Sequence, residues 1–287
     1  MATVGEGYFE RDGVRLHYLE WGGPVAGRPS MLLLHGLGSN ARFWERTAAE
    51  LDGRHLLALD QRSHGLSDRP VEGNANPTFV ADAHALVERA GLDRPVVAGH
   101  SWGAVIALEY AAAHPSETGA LSVMDGPVWA NGVNWDDVKD FVQPPFPLFP
   151  GLADAYRNQA AYLPDAWAED LERFVAAGLV PEAGGFRSTL TVPVRYDILR
   201  AMFGADTPAL WAEVTCPVAV LLARSGPGEF VRMKERGAEE LRAHKPGARI
   251  RWFDTPHDIP LYQPAEIARE LVKLAEEAAG RRGEVPA

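Results

Sequence analysis

Short apolar or alternating runs punctuate the chain at Val14–Trp21, Met31–Leu34, His55–Leu59, Val96–Ala98, Ala120–Met124, Val218–Ala223 and Arg249–Phe253. Each has the length and residue bias of a strand. Helical stretches lie between them at Ala41–Leu51, Pro77–Ala90, Trp102–Ala113, Glu229–Ala243 and Pro264–Ala279. The last places Ile267, Leu271 and Leu274 on one face. Strands alternating with helices in this way predict an α/β protein, with a mostly parallel central sheet flanked by helices. No internal repeat interrupts the pattern.

The alternation stops between about residues 128 and 210, where aromatic residues and prolines crowd in, among them Trp135, Phe141, Phe146, Phe149, Tyr156, Tyr162, Trp167, Phe174 and Phe203. Helix-like pieces at Leu152–Tyr162 and Ala166–Ala177 stand between Pro144-Pro145-Phe146-Pro147 and Gly184-Gly185, both of which break regular structure. The expected organisation is a core of residues 1–127 and 211–287, with a helical cap of residues 128–210 inserted between two strands of the sheet. The alternative for the aromatics is a second small helical core, and the two readings are compatible.

Composition changes this picture little. The chain has 287 residues, 46% hydrophobic and 23% charged, enough for one large domain or a domain with an insertion. The net charge of -11 argues against a general nucleic-acid or anionic-membrane surface. Cys216 is the single cysteine, so no internal disulfide forms, and its place before the run Val218–Leu222 suggests a buried strand-edge residue. No basic and apolar leader opens the chain and no apolar run reaches membrane-span length, so a soluble cytoplasmic protein without a membrane span is expected.

Candidate chemistry enters at Gly99-His100-Ser101-Trp102-Gly103, where the apolar strand 95–98 gives way to a helix. A sharp strand-to-helix turn forces its central residue to positive φ and lifts the serine hydroxyl clear of the sheet, while glycines on either side let strand and helix approach closely. The plain alternative is a tight turn with an incidental serine. GxSxG arises by chance in many sequences, so partner residues in the right order decide between the two.

Four segments supply that order: MLLLHGLGSNARFW (31–44), LLALDQRSHGLSDRP (56–70), VVAGHSWGAVIALEYAAAHP (96–115) and TPHDIPLYQPAEIA (255–268). Together they resemble the α/β-hydrolase superfamily over nearly the whole chain outside the insertion. The resemblance implies the α/β-hydrolase fold, with the cap between its sixth and seventh strands. It also places the catalytic histidine in the loop before the last helix, which here holds His257, and gives His35 a structural role. Many members carry the acid after the seventh strand, but Val220–Pro227 has no carboxylate. Asp125 directly follows the sixth strand, as in the subgroup that includes haloalkane dehalogenases. Parallel neighbours end on one side of a sheet, so an acid there can reach the same imidazole. The expected triad is therefore Ser101, Asp125 and His257, with Glu229 the rival acid and Asp254 and Asp258 too near His257 in sequence. Asp125-Gly126-Pro127 also reads as a turn.

Resemblance further implies an oxyanion hole from the backbone N–H groups of Leu37 and Trp102, leaving both side chains free to shape a pocket. His35, Gly36, Trp129 and Phe146 are expected at the pocket wall. Asp60 and Arg62 resemble a DxRGxG landmark, with Ser63 in a glycine's place, and read as scaffold. No ligand-spaced histidine or cysteine pair and no phosphate or dinucleotide motif is present, so neither a metal nor a cofactor is expected.

A serine at the elbow argues against haloalkane dehalogenase and epoxide hydrolase chemistry, which in this superfamily uses aspartate there. The expected function is that of a serine carboxylesterase or lactonase acting on a small apolar ester. Three alternatives stay open: hydrolysis of an amide, a C–C bond or an N-terminal proline; a cofactor-free dioxygenase; and a small-molecule sensor that turns over slowly.

Overall fold

Residues along a buried strand alternate between the two faces of its sheet, and here that alternation divides the core in two. Leu32, Leu34, Leu57, Leu59, Val97, Leu121, Val123, Val220 and Leu222 pack on one face. Met31, Leu33, Leu56, Ala58, Val96, Ala98, Ala120, Met124, Ala219, Leu221 and Ala223 pack on the other. A strand such as Met31–Leu34 is thus apolar at every position because both of its faces are covered.

The computed structural model describes residues 4–126, 128 and 147–282. Its eight-stranded sheet contains β1 (Val4–Arg11), β2 (Val14–Trp21), β3 (Met31–Leu34), β4 (Leu56–Leu59), β5 (Val96–His100), β6 (Ala120–Met124), β9 (Val218–Ala223) and β10 (Arg249–Phe253). Spatial order is β1-β2-β4-β3-β5-β6-β9-β10. The pairs β1–β2 and β2–β4 are antiparallel and the remaining pairs parallel. The chain runs from β3 outward to β4 and then returns to β5 on the other side of β3. Adjacent loops at such a reversal diverge and open a crevice beyond the strand ends. Here it falls between the loops after β3 and β5, which carry His35–Gly38 and Ser101.

Helices α2 (Asn76–Ala90) and α3 (Trp102–Ala113) cover the first face. The helix Pro264–Arg282 covers the second together with α1 (Glu45–Ala49). Helix α3 is apolar nearly all round, since Ala104 to Leu108 and Tyr110 to Ala111 are all buried. Among the described residues no helix is long and apolar enough to cross a membrane.

Three elements differ from the sequence reading. Strand β1 pairs along its full length with β2 but buries only Phe9 among its residues, so its edge position left no apolar pattern to read. Residues 41–51 form a 3-10 turn Ala41–Trp44 capped by Asn40, followed by α1, in place of one helix. Residues 166–177 likewise resolve into a 3-10 turn Glu169–Leu171 and a short helix Glu172–Ala177.

The described part of the insertion between β6 and β9 holds the helices Leu152–Tyr162, Val192–Gly204 and Thr207–Glu213, and a hairpin of β7 (Leu179–Glu182) and β8 (Gly185–Ser188). Of the glycines read from sequence as a break, Gly184 forms the hairpin turn with Ala183 at φ 89°, and Gly185 opens β8 opposite Glu182. Trp211 Nε1 donates to the Val128 carbonyl at 2.6 Å, tying the two ends of the insertion together.

Candidate active site

Ser101 links β5 to α3 at φ 55°, ψ -120°, a conformation that costs a non-glycine residue about 1–3 kcal/mol. Its surroundings explain how the turn is held. A Cβ on Gly99 would overlap the Gly103 carbonyl, and one on Gly103 would overlap the carbonyls of Leu34 and His35. Both positions therefore accept only glycine. The Ser101 N–H donates to Met124 O at 2.8 Å, pinning the turn to the end of β6. A Cβ on Gly36 would come within 3.1 Å of the Ser101 Cβ, so the loop after β3 lies directly against the serine.

Asp125 also sits at positive φ, 47°, where its N–H donates to Leu221 O at 2.8 Å. Glycine is required beside it, since a Cβ on Gly126 would lie 2.7 Å from the Ser101 carbonyl oxygen. The Asp125 side chain is fully buried and its Oδ2 lies 2.6 Å from His257 Nδ1. Oδ1 accepts the Ala223 N–H at 2.8 Å. Lys234, on the helix Gly228–His244, reaches Oδ2 at 2.8 Å and Oδ1 at 2.7 Å. Burial alone would raise the Asp125 pKa, but the hydrogen bond and charge of His257, then Lys234, hold it below the usual carboxylate value. For His257, burial would lower the pKa, but Asp125 and the neighbouring Asp258 outweigh it and leave the imidazole more basic than usual.

The rival acids stand elsewhere. Glu229 is exposed in the first turn of its helix, and Asp254 points to solvent beside Arg224.

Ser101, Asp125 and His257 border one cavity of ≈ 660 Å³, whose wall includes Leu163, Met202, Phe203, Phe230 and Val231. The His257 side chain is 43% exposed and borders this space. Among the described residues no hydrogen bond joins Ser101 to His257. Asp258, beside the imidazole, also borders the cavity, and burial raises its pKa.

Two supporting residues had no sequence signal that set them apart. His100 stacks on Phe43 at 4.7 Å and donates from Nε2 to the His257 carbonyl at 3.0 Å. Burial, then the His257 charge, pushes its pKa down to about 3, so the ring stays neutral. Lys234 is the other; a lysine on an amphipathic helix reads as part of a solvated face.

Several expected wall residues lie apart from the cavity. His35 is fully buried and donates from Nδ1 to Gly36 O at 2.8 Å while its Nε2 accepts the Gln61 N–H at 3.2 Å. That ring shapes the loop and does not border the cavity, and neither does Gly36. The Trp102 side chain, expected to shape the pocket, is instead buried in the core, stacked on His64 at 5.4 Å and edge-on to Phe79 at 4.6 Å. At the first position of α3 the ring finds its aromatic partners in His64 and Phe79 and is left with no exposed surface. Trp129 and Phe146 lie outside the described residues. Asp60 accepts the Ala41 and Leu66 N–H groups and the His17 ring, and Arg62 forms a two-pronged pair with Asp82, so both brace the scaffold.

Two described clusters bring histidine and carboxylate ligand atoms within 4.8 Å: His84, His114 and Glu117, and His100, His257 and Asp258. In the first, the imidazoles stack nearly parallel, 4.0 Å apart and 8° inclined, so their nitrogens do not aim at one point. In the second, His100 Nε2 is committed to the His257 carbonyl.

Residues 31–270 match the model of the Alpha/beta hydrolase family. Lipase LipV of Mycobacterium tuberculosis is 28% identical over 275 residues, covering 89% of this chain and 95% of that one. The 2-(acetamidomethylene)succinate hydrolase of Mesorhizobium japonicum is 29% identical over 191 residues, 60% of this chain and 68% of the relative. The crystal structure of E-2-(acetamidomethylene)succinate hydrolase superposes with a TM-score of 0.81 at 20% identity, over 96% of this chain and 100% of that one. With the sheet order, the strained elbow and a match across most of its length, the chain belongs to the alpha/beta hydrolase family.

Proposed function

We propose that the protein is a serine hydrolase that cleaves small apolar carboxylesters or lactones through an acyl-enzyme on Ser101. The observation that carries this reading is the 2.6 Å bond from His257 Nδ1 to Asp125 Oδ2 at the edge of the cavity that Ser101 borders. An ionised carboxylate only accepts hydrogen bonds, so Nδ1 carries the ring proton and Nε2 keeps its lone pair. In this reading Nε2 takes the Ser101 proton as Oγ attacks the ester carbonyl, and the imidazolium then gives that proton to the departing alkoxide. Water repeats the sequence on the acyl-enzyme. The hydrogen bond between serine and base is one that tightens once substrate is held.

Charge on the tetrahedral intermediate would be met by the N–H groups of Leu37 and Trp102. Trp102 opens α3, where the first N–H groups have no partner within the helix, and the packing of Gly36 on Ser101 brings the Leu37 loop to the same place. Removing one such donor typically costs about 2.7–4 kcal/mol of transition-state stabilisation. The largely apolar wall supports an uncharged acyl group. In this reading the insertion of residues 128–210 caps the core and supplies Leu163, Met202 and Phe203 to that wall.

The test is a series of p-nitrophenyl esters of increasing acyl length, with lactones and p-nitroanilides alongside. Ester or lactone turnover that is lost in Ser101→Ala supports the proposal. Turnover of anilides alone, or of none of these while the serine still takes a fluorophosphonate, contradicts it.

A further inference from the structure

In many members of this family the end of the seventh sheet strand supplies the acid, and here the corresponding strand is β9, whose end carries no carboxylate. The end of β9 is nevertheless committed to the acid. Ala223, its last residue, donates its N–H to Asp125 Oδ1 at 2.8 Å, and its carbonyl accepts from Lys234 Nζ at 3.0 Å. The Lys234 ammonium donates to Asp125 Oδ2 and to the Ala223 carbonyl, and it stands 2.7 Å from Asp125 Oδ1 as well. Its side chain is only 14% exposed. Lys234 also borders the cavity.

We propose that Lys234 is the positioning residue of the relay, clamping Asp125 from behind so that one carboxylate oxygen is presented to His257 and the acid's charge is partly neutralised. This rests on the Ser101, Asp125 and His257 reading above. Each Asp125 oxygen then has two partners: Ala223 and Lys234 on Oδ1, His257 and Lys234 on Oδ2. A carboxylate held at both oxygens cannot rotate away from the imidazole.

The electrostatic consequence has a definite sign. Among the described residues, the charged and titratable groups facing His257 are Asp125 after β6, Asp258 in its own loop, His100 at the end of β5 and Lys234 from the helix behind. The two carboxylates make the imidazole more basic, and the ammonium opposes them. Removing the ammonium therefore raises the pH at which His257 loses its proton. A base that stays protonated to higher pH is idle over a wider range.

The experiment follows the rate at which a fluorophosphonate labels Ser101 across the acid limb of its pH profile, in the full chain. In Lys234→Met the midpoint is expected to move up by about one pH unit, with the plateau rate reduced about 10- to 100-fold by the loosened acid. Lys234→Arg keeps the charge and is expected to keep the wild-type midpoint. A folded Lys234→Met whose midpoint coincides with wild type overturns the proposal, whatever its plateau. If Lys234→Met does not fold, Lys234→Gln is read in the same way. Loss of folding in both neutral variants but not in Lys234→Arg assigns the ammonium to stability alone and also overturns it. A wild-type protein that takes no label contradicts the serine hydrolase reading instead, so the two failures are distinct.

Discussion

His257 Nδ1 and Asp125 Oδ2 stand 2.6 Å apart although 132 residues separate them in the chain. The sheet makes this meeting possible. Strands β6, β9 and β10 are parallel neighbours, so Asp125 after the first and the loop after the last open on the same side. Backbone bonds there continue the ladder beyond the strands, with Arg224 N–H on Phe253 O at 2.8 Å and Ser225 N–H on Thr255 O at 3.1 Å. The His257 loop is thereby held close to the end of β9.

If Asp125 fixes the tautomer of His257, then Asp125→Asn reverses the polarity of that bond. An amide can offer an N–H to Nδ1 and leave Nε2 protonated, unable to accept from Ser101. Ester turnover is expected to fall on the order of 10³–10⁴-fold in kcat with the fold intact. Glu229→Gln, at an exposed position, leaves kcat unchanged. The opposite ranking in a steady-state assay of the two variants would move the acid to Glu229.

The pH dependence follows from the raised basicity of His257. Its neutral form is the working base, so kcat/KM falls as pH drops through the pKa of the free enzyme. The midpoint of that acid limb is expected above 6.5, the ordinary histidine value. A limb centred below 6.5 would mean that burial of the ring outweighs its two carboxylate neighbours.

Ser63 occupies a glycine's place in the DQRSHG segment and is buried at φ 67°. Its hydroxyl donates to Pro70 O at a long 3.4 Å. A left-handed conformation costs a residue with a Cβ about 1–2 kcal/mol, partly offset by the greater freedom of glycine in the unfolded chain. Ser63→Gly is expected to stabilise the fold by about 0.5–1 kcal/mol, raising the melting temperature by about 1–3 °C. A lower melting temperature would show that the hydroxyl contributes more than the strain removes.

The parts of this site that sequence revealed are those written by local chemistry. Gly99, Ser101 and Gly103 announce a strained turn because sterics at that turn admit few residues, and the strands before Ser101 and Asp125 are apolar because both faces are covered. Lys234 lay beyond reach because its role exists only through a contact with Asp125 across 109 positions, with no motif at either end. Strand β1 was hidden by its exposed edge. The Trp102 ring joins the core because its partners, His64 and Phe79, come from segments distant in sequence, which no local pattern at the elbow announces.

The central claim is that His257 activates Ser101, and the most direct measurement is the mass of the peptide carrying Ser101 after brief exposure to a fluorophosphonate, in wild type and in His257→Ala. The account predicts a single adduct on Ser101 in wild type and labelling slowed by orders of magnitude in the variant. An adduct on another residue, or equal labelling rates in the two proteins, would contradict it.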